Sequence, residues 1–331
     1  MVYLSLSARI LLNVEALNMV ESIGNFVRHR RAPIIVPASK GFVLKYVPAI
    51  SGESLAHAYQ EVVARVASEV GLSVCSNCRA GYFIKHADDS VLEEWAKEAQ
   101  RKGSIEFEKT VIQRCVVEDI GGFLYAGREP VKRTSRFQVG YMIPALDAIT
   151  STAIEAQFHV RYARVPEQQS IYNVEVGSAT YAFGFNLDVD GIGVLSSGSR
   201  ELAVSKEERV KRIEVAVKAL SVMLASALFG AKRTRFYPSW KVLSAVAAVS
   251  DPIPVTAEPP HTRQYVANTA EKVESVKKLL KTGSLKIDEK VWVGYFRSKE
   301  DDVGEVKGAE EVRDVTTLTS RALEVILEYI K

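Results

Sequence analysis

The chain has 331 residues, of which 47% are hydrophobic, so it can bury one large core or two ordinary ones. This composition excludes a disordered protein, and 20 glycines, 11 prolines and 3 cysteines exclude a collagen or a disulfide framework. Because the net charge is only +3, any nucleic-acid binding has to come from local basic clusters. We find no targeting signal and no apolar run long enough to span a bilayer, and we expect a protein of the reducing cytoplasm.

The first half of the chain predicts a strand, a helix and then mixed structure. Residues 3–16 alternate between apolar and polar side chains, which is typical of a half-buried strand. Ser51 is a suitable N-cap for a helix that ends near Gly71. Residues 91–102 predict a charged surface helix, and residues 121–125 predict a short strand.

The second half predicts further strands around one long helix. Residues 156–162 and 181–189 alternate, and each is predicted to be a strand. Residues 206–229 predict a helix that Gly230 stops. Residues 242–249 predict a core strand, and residues 318–330 predict a closing helix.

Without its insertions, this order is βαββαβ. We therefore predict an α+β, ferredoxin-like core, the arrangement that RNA-recognition (RRM-like) modules also use. The predicted core is discontinuous and comprises residues 1–71, 116–250 and 318–331, with loop excursions at 126–155 and 163–180. The predicted insertions are a helical segment at 72–115 and a second segment at 251–317, whose role the sequence leaves open.

Three basic clusters interrupt the nearly neutral chain, each in a predicted loop at the end of an element. They are Arg28–Arg31, Lys132–Arg136 and Lys232–Arg235. Arginine and lysine in such loops suit phosphate contacts, so the clusters favour a local phosphate-binding track over plain solvated faces.

Two histidines lie beside groups that could bind phosphate. The amides at the start of the predicted helix, with Ser51, Gly52, Ser54 and His57, could hold one phosphodiester, and the alternative is an N-capped core helix with an exposed histidine. His159 and Arg161 share a strand face with little apolar content, which could touch an RNA backbone or be a solvated edge.

The cysteines raise the question of a metal site. Cys75 and Cys78 have the spacing of zinc ligands, and His86 and Cys115 could complete a set of three thiolates and one imidazole. The alternative is ordinary buried or surface cysteines, and the sequence does not decide between them. We find no hydrolase, phosphate-loop or dinucleotide-binding motif.

Six segments carry a resemblance to a known family: Ala8–Asn18, Pro48–His57, Asp119–Leu124, Val131–Arg136, Tyr181–Phe183 and Leu187–Asp188. Together they resemble the DevR-type group of the RAMP superfamily, and in particular the CRISPR RNA-binding backbone subunit of the archaeal type I-A interference complex (Cascade). The resemblance covers most of residues 1–250 and is weaker over 72–115 and 255–315. In place of the superfamily's glycine-rich loop near the C-terminus, residues 230–235 contain one glycine.

The resemblance implies a non-catalytic subunit without a cofactor. Copies would stack into a helical filament with other Cascade subunits, hold the phosphates of the guide RNA and leave its bases free to pair with target DNA. The residues expected to bind RNA are Asn13, Asn18, Ser51, Gly52, Ser54, His57, Arg133, Ser135, Arg136, His159, Arg161, Lys232 and Arg233.

Two other functions remain open. Some RAMP proteins cleave guide precursors without metal, and here His57 or His159 would act as the base while Lys232 stabilises the transition state. A transcriptional autoregulator is the third hypothesis, although no helix-turn-helix pattern with a basic recognition helix is evident.

Overall fold

The structure is a computed structural model that describes residues 1–127, 129–162, 165, 170–198, 200–226, 229–284 and 286–331. Its strands are β1 (Tyr3–Glu15), β2 (Met19–Ile23), β3 (Phe26–His29), β4 (Arg31–Ala38), β5 (Gly41–Pro48), β6 (Phe123–Tyr125), β7 (Val131–Arg133), β8 (Phe137–Val139), β9 (Ile143–Pro144), β10 (Ala153–Arg161), β11 (Ser170–Asp188), β12 (Ser239–Asp251), β13 (Lys290–Arg297) and β14 (Glu310–Val312). Its α-helices are α1 (Gly52–Glu69), α2 (Ser76–Arg79), α3 (Glu94–Arg101), α4 (Ser104–Arg114), α5 (Val116–Gly121), α6 (Lys206–Ser226), α7 (Tyr265–Leu280) and α8 (Val315–Tyr329). Within these ranges, no helix combines the length and the apolar character needed to cross a bilayer.

A large mixed sheet forms the centre of the molecule, and β1 lies in its middle. The strand order is β14-β13-β12-β1-β11-β3-β2, and β8, β9 and β10 also pair with β11. β1 runs antiparallel to both β11 and β12. The alternation in residues 3–16 is therefore confirmed as a strand, although both of its faces are covered.

The apolar face of β1 builds the main core. Leu4, Leu6 and Ile10 pack in one cluster with side chains of α1, α6 and α8, such as Tyr59 and Leu220. The polar face, with Ser5, Ser7 and Arg9, is buried too.

The charge of the buried Arg9 is neutralised by two carboxylates. Its Nη2 pairs with Asp147 Oδ1 at 2.9 Å, its Nε pairs with Asp301 Oδ2 at 2.9 Å, and its Nη1 donates to the carbonyl of Pro260. Because both carboxylates come from distant segments, this buried cation ties residues 147, 260 and 301 onto the sheet.

Smaller satellite cores flank the main one, and two of them are larger than the others. In the first, α3 and α4 pack against the β6–β7 hairpin through Phe107, Tyr125 and Val131. In the second, α7 packs on β12 and β13 through Tyr265 and Val266. Most of the helical segment at 72–115 is thus attached to the core by helix packing and not by the main sheet.

Four local predictions were wrong. Arg28 and His29 lie in β3 and Arg31 lies in β4, with Arg30 between the two strands, and Lys132 and Arg133 of the predicted basic loop lie in β7. The loop expected over 163–180 is strand β11 from Ser170 onward. Residues 163, 164 and 166–169 of that loop lie outside the described residues. The segment at 251–317 contains two strands that the sequence analysis did not predict, and β13 extends the main sheet by pairing with β12. The predicted end of the long helix at residues 227 and 228 also lies outside the described residues.

Candidate nucleic-acid interface

Helix α1 begins at a cap that connects two distant segments. The Ser51 hydroxyl accepts a hydrogen bond from the amide of Ser54 at 3.3 Å, as an N-cap should. The Ser51 amide itself donates to Oδ1 of Asn18 at 2.7 Å. Asn18 and Ser51, which were both predicted to bind RNA, therefore lie together, but their side-chain oxygens already serve the backbone.

The positive end of α1 is partly neutralised by its own acidic residue. Interactions with its own backbone amide and with Ser51 lower the pKa of the Glu53 carboxyl, so it stays ionised at the first turn. Gly52 next to it fits closely against β8, since a Cβ there would lie 2.9 Å from the carbonyl oxygen of Val139. The amides of this turn are thus less available to a phosphate than the sequence suggested.

A groove of about 440 Å³ opens beside the start of α1. Gly52 and Ser135 both line it, together with Lys85 and Tyr141. The Ser135 hydroxyl donates to the carbonyl of Phe137 at 2.7 Å, and the Lys85 ammonium donates to the carbonyl of Gly121 at 3.0 Å. Burial lowers the pKa of Lys85, although the nearby acidic groups counter part of this effect.

The basic turn, which we define as residues 230–236, lies directly beside Asn18. The amide of Ala231 donates to the carbonyl of Leu17 at 2.8 Å. Gly230 has φ +86°, and a Cβ there would lie 2.6 Å from that carbonyl, so only glycine fits. Lys232 and Arg233 are exposed and have no ion-pair partner in the part of the chain that the structure describes. These two cations are therefore free to bind an anion.

The hairpin of β10 and β11 meets the other side of the basic turn. The ring of His159 stacks on Tyr172 with centroids 5.1 Å apart, and it meets Phe236 edge-on at 5.5 Å. Arg235 donates to the Tyr172 hydroxyl at 3.3 Å. Arg161, further along the hairpin, is exposed. The residue-159 strand and the start of α1 are therefore joined through the basic turn.

Arg133 is a correction to the predicted site. Its side chain is 0% exposed, and its guanidinium pairs with Glu108 at 3.1 Å and with Asp119. It also donates to the carbonyls of Val194 and Gly191. All of its donor nitrogens have protein acceptors, so Arg133 cannot bind a phosphate, and it instead holds α4, α5 and the 191–196 loop together.

The guanidinium of Arg136 is also largely occupied by contacts within the protein. Its Nη1 pairs with Asp188 at 3.2 Å, and its Nη2 donates to the Ser196 hydroxyl at 2.6 Å. Only 12% of its side chain is exposed. The expectation that Arg136 clamps RNA therefore conflicts with its position, because a phosphate would have to displace a carboxylate.

Three other predicted residues do not line the groove. His57 is 52% exposed, but its ring faces Phe83 at 4.9 Å and its Nε2 lies 3.5 Å from Glu61, on a part of α1 that does not line the groove. Asn13 is exposed at the end of β1, just before Val14, whose φ is +53°. Ser54 is partly buried in the first turn of α1 and serves through its backbone amide.

Arg30 belongs to this region, although the predicted set of site residues omitted it. Its amide donates to the carbonyl of Asn18 at 2.9 Å, and its carbonyl accepts from Ala49. Its guanidinium approaches the hydroxyl of Tyr141, on the wall of the groove, at 3.4 Å. The signal for it was the basic cluster at residues 28–31, in which two neighbours serve different purposes: His29 is buried against Glu15, and Arg31 pairs with Glu175.

These contacts connect a set of neighbouring segments, which we call the cationic track. It runs from the groove beside Gly52, past Arg30 and Asn18, to the basic turn and on to the hairpin at His159 and Arg161. Three of the places predicted to bind RNA are the start of α1, the strand at His159 and the segment at Arg133, and these contacts connect the first two. The third, Arg133, is inside the protein.

Comparison with known sequences gives this surface a context. A profile of the family described as "CRISPR-associated negative auto-regulator DevR/Csa2" matches residues 6–270. The chain belongs to the DevR/Csa2 family. It is 44% identical over 283 residues to the "CRISPR-associated aCascade subunit Cas7/Csa2 2" of Saccharolobus solfataricus, which covers 83% of this chain and 87% of that protein. It is 39% identical to the "CRISPR-associated protein Cas7/Csa2 1" of the same organism, over 75% of this chain and 79% of that protein.

The fold has counterparts among solved structures. A chain of a "CRISPR RNA-guided surveillance complex" aligns with 98% of this chain and 99% of its own length, with a TM-score of 0.52 and 12% identity. A chain of a second such complex, described as pre-nicking, gives a TM-score of 0.55 over 98% of this chain, also at 12% identity. At this identity the similarity concerns the fold alone. The family predicted from the sequence is confirmed, and the mixed α/β architecture is shared with these chains.

Proposed function

We propose that the chain is a backbone subunit of a Cascade-type antiviral interference complex that binds the phosphates of a CRISPR guide RNA along the cationic track. Membership of the DevR/Csa2 family, whose relative in Saccharolobus solfataricus is named an aCascade subunit, is the observation that carries the proposal. The exposed cations of the basic turn supply the chemistry, because no carboxylate among the described residues neutralises Lys232 or Arg233.

The character of the track suits a guide that must still pair with another strand. Lysine and arginine side chains bind phosphate without reading sequence, and they fix the position of a strand while its base edges stay accessible. We therefore propose that the target DNA is recognised through the guide and not by direct contacts with bases from this chain.

We also propose that copies of the chain associate side by side along the guide, together with other Cascade subunits. Two hairpins support this proposal, because each carries a large apolar side chain that is exposed to solvent in the isolated chain. Phe42 on β5 is 73% exposed and Tyr162 beyond β10 is 85% exposed, and a contact between copies would bury such side chains.

We propose further that the chain does not cleave RNA. An acid–base pair has to converge on one phosphodiester. His159 is packed between Tyr172 and Phe236, and His57 faces Phe83 away from the groove. The packing of His159 between two aromatic rings and the position of His57 outside the groove support the binding role over the endoribonuclease hypothesis, which had assigned the base to one of these histidines.

The finer description of the fold is also a proposal. Strands β12, β1, β11 and β8 are neighbours in that order, α1 follows β1, and α6 joins β11 to β12, which supports a ferredoxin-like core. We propose the domain boundaries given by the sequence, with 72–115 and 251–317 as insertions, and the cytoplasm as the compartment.

The experiment that tests this function uses the full chain and a labelled guide RNA. We expect binding that weakens as salt rises, assemblies whose sedimentation increases with RNA length, and RNA that stays intact on a denaturing gel after long incubation. A duplex DNA of the same length serves as the control for non-specific charge attraction. Equal affinity for the duplex would contradict a role in guide binding, and cleaved RNA would restore the endoribonuclease.

A further inference from the structure

The three cysteines, which the guide-binding surface does not use, meet in one buried cluster. Cys75, Cys78 and Cys115 are free and buried, and Glu118 is buried with them. One ligand atom from each of these four residues lies within 4.8 Å of the other three. Residues that are 43 positions apart in the chain thus converge with their most strongly metal-binding atoms.

We propose that Cys75, Cys78, Cys115 and Glu118 bind one structural zinc ion. A tetrahedral zinc with bonds of about 2.3 Å to sulfur and about 2.0 Å to oxygen separates a sulfur from an oxygen ligand by about 3.5 Å. Glu118 Oε1 lies 3.4 Å from the sulfur of Cys75 and 4.0 Å from the sulfur of Cys78. The cluster therefore already has nearly the dimensions of the coordination shell.

The backbone around the first two cysteines is shaped to hold a thiolate. Cys75 caps the short helix α2, and its sulfur accepts a hydrogen bond from the amide of Cys78 at 3.5 Å. An amide directed at a sulfur stabilises the charged thiolate, which is the form that binds zinc. Cysteines that merely fill a core would not need this arrangement.

His86 supports the carboxylate instead of binding the metal. Its Nδ1 lies 2.9 Å from Glu118 Oε2, so that a proton on Nδ1 is donated to the carboxylate. The sequence analysis had considered His86 as the fourth ligand, and the carboxylate of Glu118 takes that position here. A hydrogen bond from a neighbouring group is the usual way in which a ligand is oriented towards its metal.

Charge balance favours a divalent cation. Three thiolates and one carboxylate carry four negative charges, and a zinc ion reduces the total to two. The Lys85 amine, which is partly buried nearby and donates to the carbonyl of Gly121, can offset part of the remaining negative charge. A disulfide would use only two of the cysteines and would leave the third thiol and the Glu118 carboxylate outside the bond.

The position of the site gives the metal a structural role. The ligands come from the segment that contains α2 and from the start of α5, and so zinc would fasten the 75–86 segment to the helices that contact α1. Lys85 and Gly121, which lie beside the cluster in the chain, also line the groove next to Gly52. The ion would thus stabilise one wall of that groove without touching its contents.

The test is the metal content of the untagged full chain after passage over a chelating resin. Elemental analysis should find about one zinc ion per chain, and cobalt added in its place should give the visible absorption of a tetrahedral, thiolate-bound ion. Less than about a tenth of one zinc per chain, or iron or copper in its place, would overturn the proposal.

Single substitutions connect the metal to these residues. Cys115→Ser should lower the zinc content at least tenfold, whereas Val117→Ala, which removes neighbouring core volume and leaves all four ligands, should keep it. His86→Gln should weaken zinc binding by about 10–100-fold, as expected of a positioning residue. If Cys115→Ser does not fold, the zinc content of the unmodified chain still tests the proposal. A Val117→Ala variant that loses zinc as fully as Cys115→Ser would count against the assigned ligands.

Discussion

Two basic segments that look alike in the sequence differ in the structure, because one is buried and the other is exposed to solvent. In the segment around residue 133, Arg133 is enclosed by Glu108 and Asp119 and holds several elements together. In the basic turn, Lys232 and Arg233 reach solvent next to the start of α1. The comparison teaches that a basic cluster indicates phosphate binding only when no buried carboxylate has already neutralised it.

The largest effect should come from removing the buried cation. Arg133→Ala removes the cation that pairs with the buried Glu108 and leaves the buried Asp119 with Arg212 as its remaining ion-pair partner. We expect the free energy of unfolding to fall by about 3–5 kcal/mol. Urea unfolding followed by circular dichroism measures this change. Lys132→Ala, on the exposed neighbour, should change it by less than about 0.5 kcal/mol, and equal effects of the two variants would contradict the comparison.

A second buried ionic pair, in the first basic cluster, should make stability depend on pH. Burial alone would raise the pKa of Glu15, but the hydrogen bond and charge of His29 outweigh it and leave the pKa lowered. For His29, burial opposes the effect of Glu15, and the net result is a raised pKa. The contribution of Glu15 is lost as pH falls through its lowered pKa, and that of His29 is lost as pH rises through its raised pKa.

The pair should therefore stabilise the fold most between about pH 4.5 and 6.5, the unfolded-state pKa values of the two groups. Each unit of pKa shift is worth about 1.4 kcal/mol. Unfolding midpoints measured from pH 4 to pH 9 should show this maximum in the unmodified chain and a flatter profile in Glu15→Gln/His29→Gln. An unchanged profile in the double variant would show that other groups control the pH dependence.

The smallest effect should come from the acidic residue at the start of α1. If a phosphate lies near this turn, Glu53→Gln removes a repulsive charge and should tighten guide RNA binding by about two- to fivefold at low salt. Fluorescence anisotropy measures the affinity. Glu61→Gln, on the same helix but away from the groove, is the matched control, and a weaker complex after Glu53→Gln would exclude phosphate from this end of the helix.

The sequence predicted those elements whose side-chain patterns are local. The alternation of residues 3–16 and the cap at Ser51 depend on neighbours in the chain, and both are present. Strand β11 was predicted only for its second half. Its first half pairs with β10 and β3 and its second half with β1, β8 and β9, so no single alternation extends over its 19 residues.

The site was harder to predict, because the exposure of its basic side chains depends on residues that are distant in the chain. Nothing near Arg133 in the chain indicates that Glu108 and Asp119, which are 25 and 14 residues away, will enclose it. Arg30 was missed for the converse reason, since its guanidinium meets the hydroxyl of Tyr141, which is 111 residues away in the chain, only in the folded protein. The types of residue were evident, whereas their exposure required the structure.

The most direct test of the account is the salt dependence of guide RNA binding by Lys232→Ala/Arg233→Ala. Each phosphate neutralised on a single strand contributes about 0.7 to the slope of log affinity against log salt, so the double variant should bind more weakly with a slope shallower by about 1.4. Lys278→Ala/Lys307→Ala, which removes the same charge from α7 and from the loop before β14, should keep the slope of the unmodified chain. Identical slopes for the two double variants would contradict a guide RNA held by the basic turn.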